Sequence, residues 1–276
     1  MLFRSRNLHT SNSVIPAIVH FYKIVRMNSS FGIDVGGSGI KGAVVDLDTG
    51  QFIGERIKIS TPQPATPEAV AATVREIVEQ AQWSGPIGIT LPSIVKGHTV
   101  LSAANIDKSW IGIDPYELFR RHLGADRTIS ILNDADAAGL AEVAFGEEKA
   151  TNGQVIFLTI GTGIGSAFLI NGKLWSNSEL GHLIVDGKEA EHQASSAVKD
   201  SLDLSYKKWA KRVDCVLHEY EALFNPDLFI IGGGISRRFD KWGPRLTVNT
   251  EVIPAGLRNK AGIVGAAMAV AQGISP

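Results

Sequence analysis

The apolar positions of the chain follow two periods that alternate along its length. Near 31–36, 40–47 and 51–60, Val, Ile and Phe alternate with polar residues, the two-residue period of strands. "TPEAVAATVREIVEQAQ" switches to a helical period. Val70, Val74, Ile77, Val78 and Ala81 form one stripe, Thr66 is placed to cap it, and Pro67 suits its first position. "PIGITLPSIV" reads as a strand entering a loop, and "DPYELFRRHLG" as a short helix. "TISILNDADAAGLAEVAFG" is a strand feeding a helix, with Asn133 and Asp134 at the junction. Beyond it come a strand–turn–strand unit in "VIFLTIGTGIGSAFLING", a strand in "DLFIIGGGISRR" and a small-residue helix in "AGIVGAAMAVAQ". A long helix over roughly 205–224 places Trp209, Val213, Val216, Leu217, Tyr220, Leu223 and Phe224 on one face. The alternation predicts an α/β fold, with chemistry where a strand turns into a helix.

Glycines punctuate this pattern. Gly37, Gly39 and Gly42 formally satisfy G-x-G-x-x-G after an apolar strand. A dinucleotide fingerprint needs a helix to open at the third glycine. Gly42 leads instead into "AVVDLDTGQFIGERIKIS", a strand, a turn and another strand, so that reading is excluded. A bare hairpin turn and a phosphate loop remain. Asp34 stands against the bare turn, because a carboxylate beside closely approachable backbone amides can hold a metal ion bound to phosphate, and on this loop alone the two readings balance. The second glycine turn, Gly161–Thr162–Gly163 with Gly165, and the later Gly232–Gly233–Gly234 tip the choice to the phosphate loop.

Composition narrows the field. The chain has 276 residues and is 44% hydrophobic, enough for one large domain or two lobes. A formal net charge of −1 argues against a nucleic-acid binder. The one cysteine, Cys215, cannot form an internal disulfide, which points to a reducing, cytoplasmic setting. No uninterrupted apolar run of about 18 residues predicts a membrane span. Residues 1–30 carry Arg4, Arg6, Lys23 and Arg26 but no acid. A targeting segment, a flexible tail and a start upstream of the true initiator Met27 all fit; the last two are favoured because Met27 lies just before the first strand.

Asp134 is the leading candidate for chemistry. Phosphoryl transfer to an alcohol needs a base at the attacking hydroxyl, and the alternative use of Asp134 is as a helix N-cap. Asn133 beside it offers donors and acceptors for sugar hydroxyls. Asn105, Glu179, His182 and Glu191 complete a polar set suited to a hexose.

Two glycine-rich hairpins in separate halves, then a late Gly-Gly-Gly, resemble the actin/hexokinase/heat-shock ATPase superfamily, whose two RNase H-like lobes close around phosphates and a metal. Asp34-x-Gly-Gly-x-x-x-Lys41, Asn133-Asp134, Gly161-Thr-Gly-Ile-Gly165 and Glu179-Leu-Gly-His182 resemble the ROK family of sugar kinases over residues 31–272. The resemblance implies a small lobe of 31–133 plus 262–276 and a large lobe of 134–261. It implies Asp134 as base for a sugar 6-hydroxyl, with Asn105, Asn133, Asp134, Glu179, His182 and Glu191 holding the sugar. Asp34, Gly36, Gly37, Ser38, Lys41, Thr162 and Gly163 would surround the phosphate, and Asp34 would hold magnesium through water. Gly233 and Gly234 resemble an adenosine-contacting segment. A homodimer is the assembly the family suggests.

Many members of that family bind zinc through the histidine of Glu-x-Gly-His and three cysteines. Here "LIVDGKEAEHQASSAVKDSLDLSYKKWAKR" comes after His182 without a cysteine, so no zinc is expected. That segment resembles the branch comprising polyphosphate glucokinases and polyphosphate/ATP glucomannokinases. The implied reaction is transfer of the terminal phosphoryl of inorganic polyphosphate, or of ATP, to glucose. Lys199, Lys207, Lys208, Lys211, Arg212, Arg237 and Arg238, with Lys241, Arg245, Arg258 and Lys260 nearby, would form a track for a long polyanion. The alternative for Lys207, Lys208, Lys211 and Arg212 is an ordinary solvated helix face. A sugar-sensing regulator and an actin-like filament subunit are the competing functional classes. The retained Asp134 argues against the first and the sugar set against the second.

Overall fold

The computed structural model describes residues 28–103 and 106–275. Asn105, expected in the sugar site, and residues 1–27 lie outside the described residues. The first half contains β1 (Ser29–Gly36), β2 (Gly39–Asp46), β3 (Phe52–Ile59), α1 (Pro67–Gln80), β4 (Ile87–Leu91), β5 (Val95–Lys96), β6 (Thr99–Val100), α2 (Pro115–Leu123) and β7 (Ile129–Asn133). α3 (Asp134–Phe145) begins at the very next residue. Then come β8 (Gln154–Ile160), β9 (Ile164–Ile170), β10 (Lys173–Trp175), β11 (Ile184–Val185), β12 (Lys188–Glu189), α4 (Glu191–Ala194), α5 (Ser196–Ser201) and α6 (Tyr206–Phe224). β13 (Leu228–Gly232), α7 (Phe239–Trp242), β14 (Glu251–Pro254) and α8 (Ala261–Gln272) complete the order.

Two five-stranded sheets have matching plans, β3-β2-β1-β4-β7 and β10-β9-β8-β13-β14. In each, a three-strand antiparallel meander is extended by two parallel strands. The Gly37–Ser38 turn joins antiparallel β1 and β2, so the first glycine motif is a hairpin and opens no helix. β8 carries an unbroken apolar run over 155–158 because both of its faces are covered. On β8, Val155 and Phe157 join a core between the sheets, whereas Ile156 and Leu158 join one under α6. A third core lies between the first sheet and α1 and α2.

α8, the last element, returns to the first sheet. A Cβ on Gly32 would stand 1.9 Å from the Ile263 carbonyl oxygen, and one on Gly88 would stand 1.7 Å from that of Ala266. Only glycine lets this helix rest its backbone directly on β1 and β4.

Helix caps obey the expected chemistry with one correction. Thr66 Oγ1 accepts from the Ala69 N–H at 3.4 Å. The cap of α3, however, is Asn133, whose Oδ1 accepts from the N–H groups of Ala135 and Asp136. Leu223, expected on the buried face of α6, is 53% exposed. Phe224 instead turns inward, edge-on to Phe168 at 5.5 Å between ring centres. Among the described residues, no helix is long and apolar enough to cross a membrane.

Candidate active site

The parallel strands β1, β4 and β7 end together. Asp34 is in register with Thr90, and Leu91 with Asn133. Asp34, Thr90 and the Asn133–Asp134 junction therefore share one edge of the sheet, where α/β folds place their chemistry. Asp34 accepts from Lys41 Nζ at 3.0 Å and from Thr90 Oγ1 at 3.3 Å. Gly37 and Ser38 stand exposed at the tip of the hairpin, with Gly36 at its base.

Asp134 opens α3, and its Oδ1 accepts from the Ala135 N–H at 2.9 Å. Burial pushes its carboxyl up to about 7, helped by the negative charges of Asp34 and Glu179 and opposed by the Ala135 bond. A carboxylate tuned to that range is matched to accepting a proton near neutrality. Asn133 is 8% exposed. Its Oδ1 serves the cap, and Nδ2 donates to Ser93 O at 3.3 Å, leaving one amide N–H for another partner.

The second hairpin meets this edge from the other sheet. Gly165, on β9, lies against Ala135 in the first turn of α3. The Gly161–Gly163 turn is closed by the Gly161 N–H donating to Gly163 O at 2.9 Å. It is fastened to α5 by Ser196 Oγ, which donates to Gly161 O at 2.8 Å. Glu191 Oε2 accepts from the Ile164 N–H at 3.2 Å beside Gly163. β13 pairs with β8 up to Gly232↔Thr159, so Gly233 and Gly234 emerge next to the same turn.

Glu179 begins a tight turn over Leu180–His182. That turn presses on β9: a Cβ on Gly181 would stand 2.1 Å from the Ile164 carbonyl oxygen, which accounts for the glycine of Glu-Leu-Gly-His. Ser166 Oγ accepts from the Leu180 N–H at 2.9 Å and donates to Ser178 O at 2.7 Å. The Tyr220 hydroxyl donates to Leu180 O at 2.6 Å. Burial raises the Glu179 carboxyl against the opposing pull of His182. His182 lies 3.1 Å from Glu189 and 3.9 Å from Glu179, and the bond to Glu189 raises its pKa.

His182, Glu189 and Glu191 offer ligand atoms within 4.8 Å of one another. This is one imidazole with two carboxylates, not the thiolate set of a structural zinc site.

The basic positions are less uniform than their sequence suggests. Lys207, Lys208 and Lys211 are exposed on α6, and Arg237 and Arg238 are exposed after Gly234. Arg212 is half-buried and donates to Gln193 O at 3.5 Å. Lys199 pairs with Asp200 at 3.2 Å and lies 4.8 Å from the centre of the Tyr206 ring, which Lys241 also approaches at 5.6 Å. Sequence reasoning passed over Thr90, Asp136, Ser166, Asn177, Glu189 and Tyr220. Each acts through a fold-dependent partner, although Asp136, Asn177 and Glu189 each lie two positions from a residue already singled out, namely Asp134, Glu179 and Glu191.

Two matching sheets with glycine hairpins aimed at a strand-end carboxyl define the two-lobed actin/hexokinase-like class. The model of the ROK family matches residues 30–197, and the chain belongs to that family. It is 59% identical over 239 residues to the polyphosphate glucokinase of Mycobacterium tuberculosis (strain CDC 1551 / Oshkosh), covering 87% of this chain and 90% of that one. The structure of the inorganic polyphosphate/ATP-glucomannokinase from Arthrobacter sp. strain KM superimposes with a TM-score of 0.83 at 46% identity, over 89% of this chain and 99% of that one. A ROK family glucokinase from Streptomyces griseus, in complex with glucose and AMPPNP, gives a TM-score of 0.75 at 25% identity, over 88% and 99% of the two chains.

Proposed function

We propose that the protein transfers the terminal phosphoryl group of inorganic polyphosphate to the 6-hydroxyl of glucose, giving glucose 6-phosphate. The observation that carries this reading is Asp134: a carboxyl at the strand-to-helix junction, raised to about 7 chiefly by burial and further by the charges of Asp34 and Glu179. The similarity to polyphosphate glucokinase over most of both chains supports the donor and the acceptor.

Glucose is held by Glu179, His182 and Glu191 together with Asn133 and Asp134; Asn105, outside the described residues, is a further proposed sugar ligand. Asp134 accepts the proton as the sugar oxygen attacks the terminal phosphorus. The bridging P–O bond breaks, and the donor leaves one phosphate shorter. Backbone amides around Gly36, Gly37, Ser38, Thr162 and Gly163 cradle the phosphates, and Lys41 supplies a positive charge. Closure of the small lobe (31–133 with 262–276) on the large lobe (134–261) excludes water, which would otherwise compete for the phosphoryl group.

Magnesium suits this setting. Asp34 and Asp134 bring two carboxyls into mutual electrostatic contact, and Lys41 is the ion-paired cation beside them. Asp34 would hold the ion through water, and the ion would offset charge on the phosphates. The exposed Lys207, Lys208, Lys211, Arg237 and Arg238, with Lys199, form the track for the rest of the chain. Arg212, engaged by Gln193, contributes less directly. ATP is the second donor, favoured by the exposed Gly233–Gly234 segment beside the second hairpin. A homodimer is the proposed assembly.

The test is glucose 6-phosphate formation by the purified protein with magnesium, offering nucleotide-free polyphosphate and ATP separately. Product from polyphosphate alone is expected. Product from ATP alone would replace the donor. Product from neither would overturn the kinase reading.

A further inference from the structure

Asp136 sits one half-turn beyond Asp134 and plays no part in the proposed transfer. Its carboxyl is fully buried, at 0% exposure. Oδ2 accepts from the Asn177 backbone N–H at 2.7 Å, while Oδ1 has no hydrogen-bond partner. Such a group in the first turn of a helix is expensive to bury unless it serves a fixed geometry.

Asn177 carries that geometry across the molecule. Its backbone is left-handed, with φ of 61°. Its side-chain amide pairs with the Val95 peptide as a strand residue would: Nδ2 donates to Val95 O at 2.9 Å, and the Val95 N–H donates to Oδ1 at 3.2 Å. Asn177 therefore fastens three segments at once, the start of α3, strand β5 and the loop after β10. Two residues later in that loop comes Glu179. Its other flank is fixed by Ser166, which bonds both Ser178 and Leu180.

We infer that Asp136 is a positioning residue for the sugar site, acting through Asn177 to hold Glu179 in place opposite Asp134. The inference rests on the reading of Glu179 as a sugar ligand. The reacting atoms are not touched by Asp136, so its loss should weaken glucose binding more than the transfer step. Burial also pushes the Asp136 carboxyl up to about 7. A neutral acid here is isosteric with asparagine, whose amide oxygen can still accept from the Asn177 N–H.

The experiment is a double-mutant cycle on glucose kinetics at saturating donor. D136A removes the acceptor. N177G keeps the left-handed backbone but removes both bonds to Val95. Each single variant should raise the glucose KM by about tenfold, the scale of one buried hydrogen bond lost, with kcat falling by less than about threefold. The double variant should depart from additivity, because the two changes remove different anchors, α3 and β5, of the same residue. D136N should recover most of the loss caused by D136A. If D136A does not fold, D136L, which fills the buried site but offers no acceptor to the Asn177 N–H, decides: an unchanged glucose KM there overturns the inference. A fall in kcat at constant KM overturns it too, as does strict additivity. Failure of the wild-type protein to phosphorylate glucose would refute the underlying sugar-kinase reading, whereas a working enzyme with unmoved variants would refute this inference alone.

Discussion

Asp34 raises the pKa of Asp134: the negative charge on β1 opposes ionisation of the carboxyl that opens α3. Burial is the larger cause and places Asp134 at about 7. The base is competent only when deprotonated. kcat/KM for glucose should therefore rise with pH through about 7 and then level. D34N removes the opposing charge, so the midpoint should move to lower pH even as the maximal rate falls. A midpoint in D34N above that of the wild type would contradict the assignment.

Removing the base itself should be more severe. D134A and D134N should lower kcat by at least about 10²–10⁴-fold, the usual contribution of a positioned general base. The fold should persist, because the α3 cap belongs to Asn133. Circular dichroism and single-turnover assays on purified variants check both halves of this expectation.

The same burial gives stability a pH slope. Asp134 and Asp136 are raised to about 7, and Glu142 and Glu179 are raised as well, all chiefly by burial. Between roughly pH 4 and 7 the folded protein then binds more protons than the unfolded chain, so stability falls as pH rises across that window. Thermal unfolding should show a lower Tm at about pH 8 than at about pH 5. The reverse order would show that these groups are not governing the slope.

Glu142 ties the far end of α3 to the segment before α8. Its two oxygens accept from the N–H groups of Gly256 at 2.9 Å and Leu257 at 2.8 Å. E142A leaves both donors without this acceptor and should destabilise the protein by roughly 1–3 kcal/mol. E142Q keeps one acceptor and should lose less. Denaturant midpoints at constant slope measure the difference.

The exposed lysines of α6 make a separable prediction about the donor. K207Q/K208Q/K211Q should raise the KM for long polyphosphate and flatten its dependence on salt, while leaving the KM for glucose in place. An unchanged polyphosphate KM would return these lysines to ordinary solvated surface.

Much of the fold was legible in the chain. Hairpins are expected from Gly37–Ser38 and Gly161–Gly163 between apolar strands, because such turns depend on local chemistry. Asp134 stood out for its place at the end of an apolar strand. Asp136 did not, because two aspartates in a first helical turn are ordinary dipole partners. Its bond to Asn177 spans 41 positions. Ser166, inside an apolar strand, gave no sign that it would brace the Glu179 turn from both sides. Leu223 misled for a similar reason: periodicity defines a face but not where that face ends.

α8 has a consequence for biosynthesis. Gly32 and Gly88, in the first third of the chain, are covered by a helix that begins at Ala261. A nascent chain emerging from the ribosome carries β1, β2, β4 and β7 with one face bare until the final helix leaves the tunnel. The first sheet should therefore keep that face open through most of translation and gain its cover only once Ala261–Gln272 has emerged.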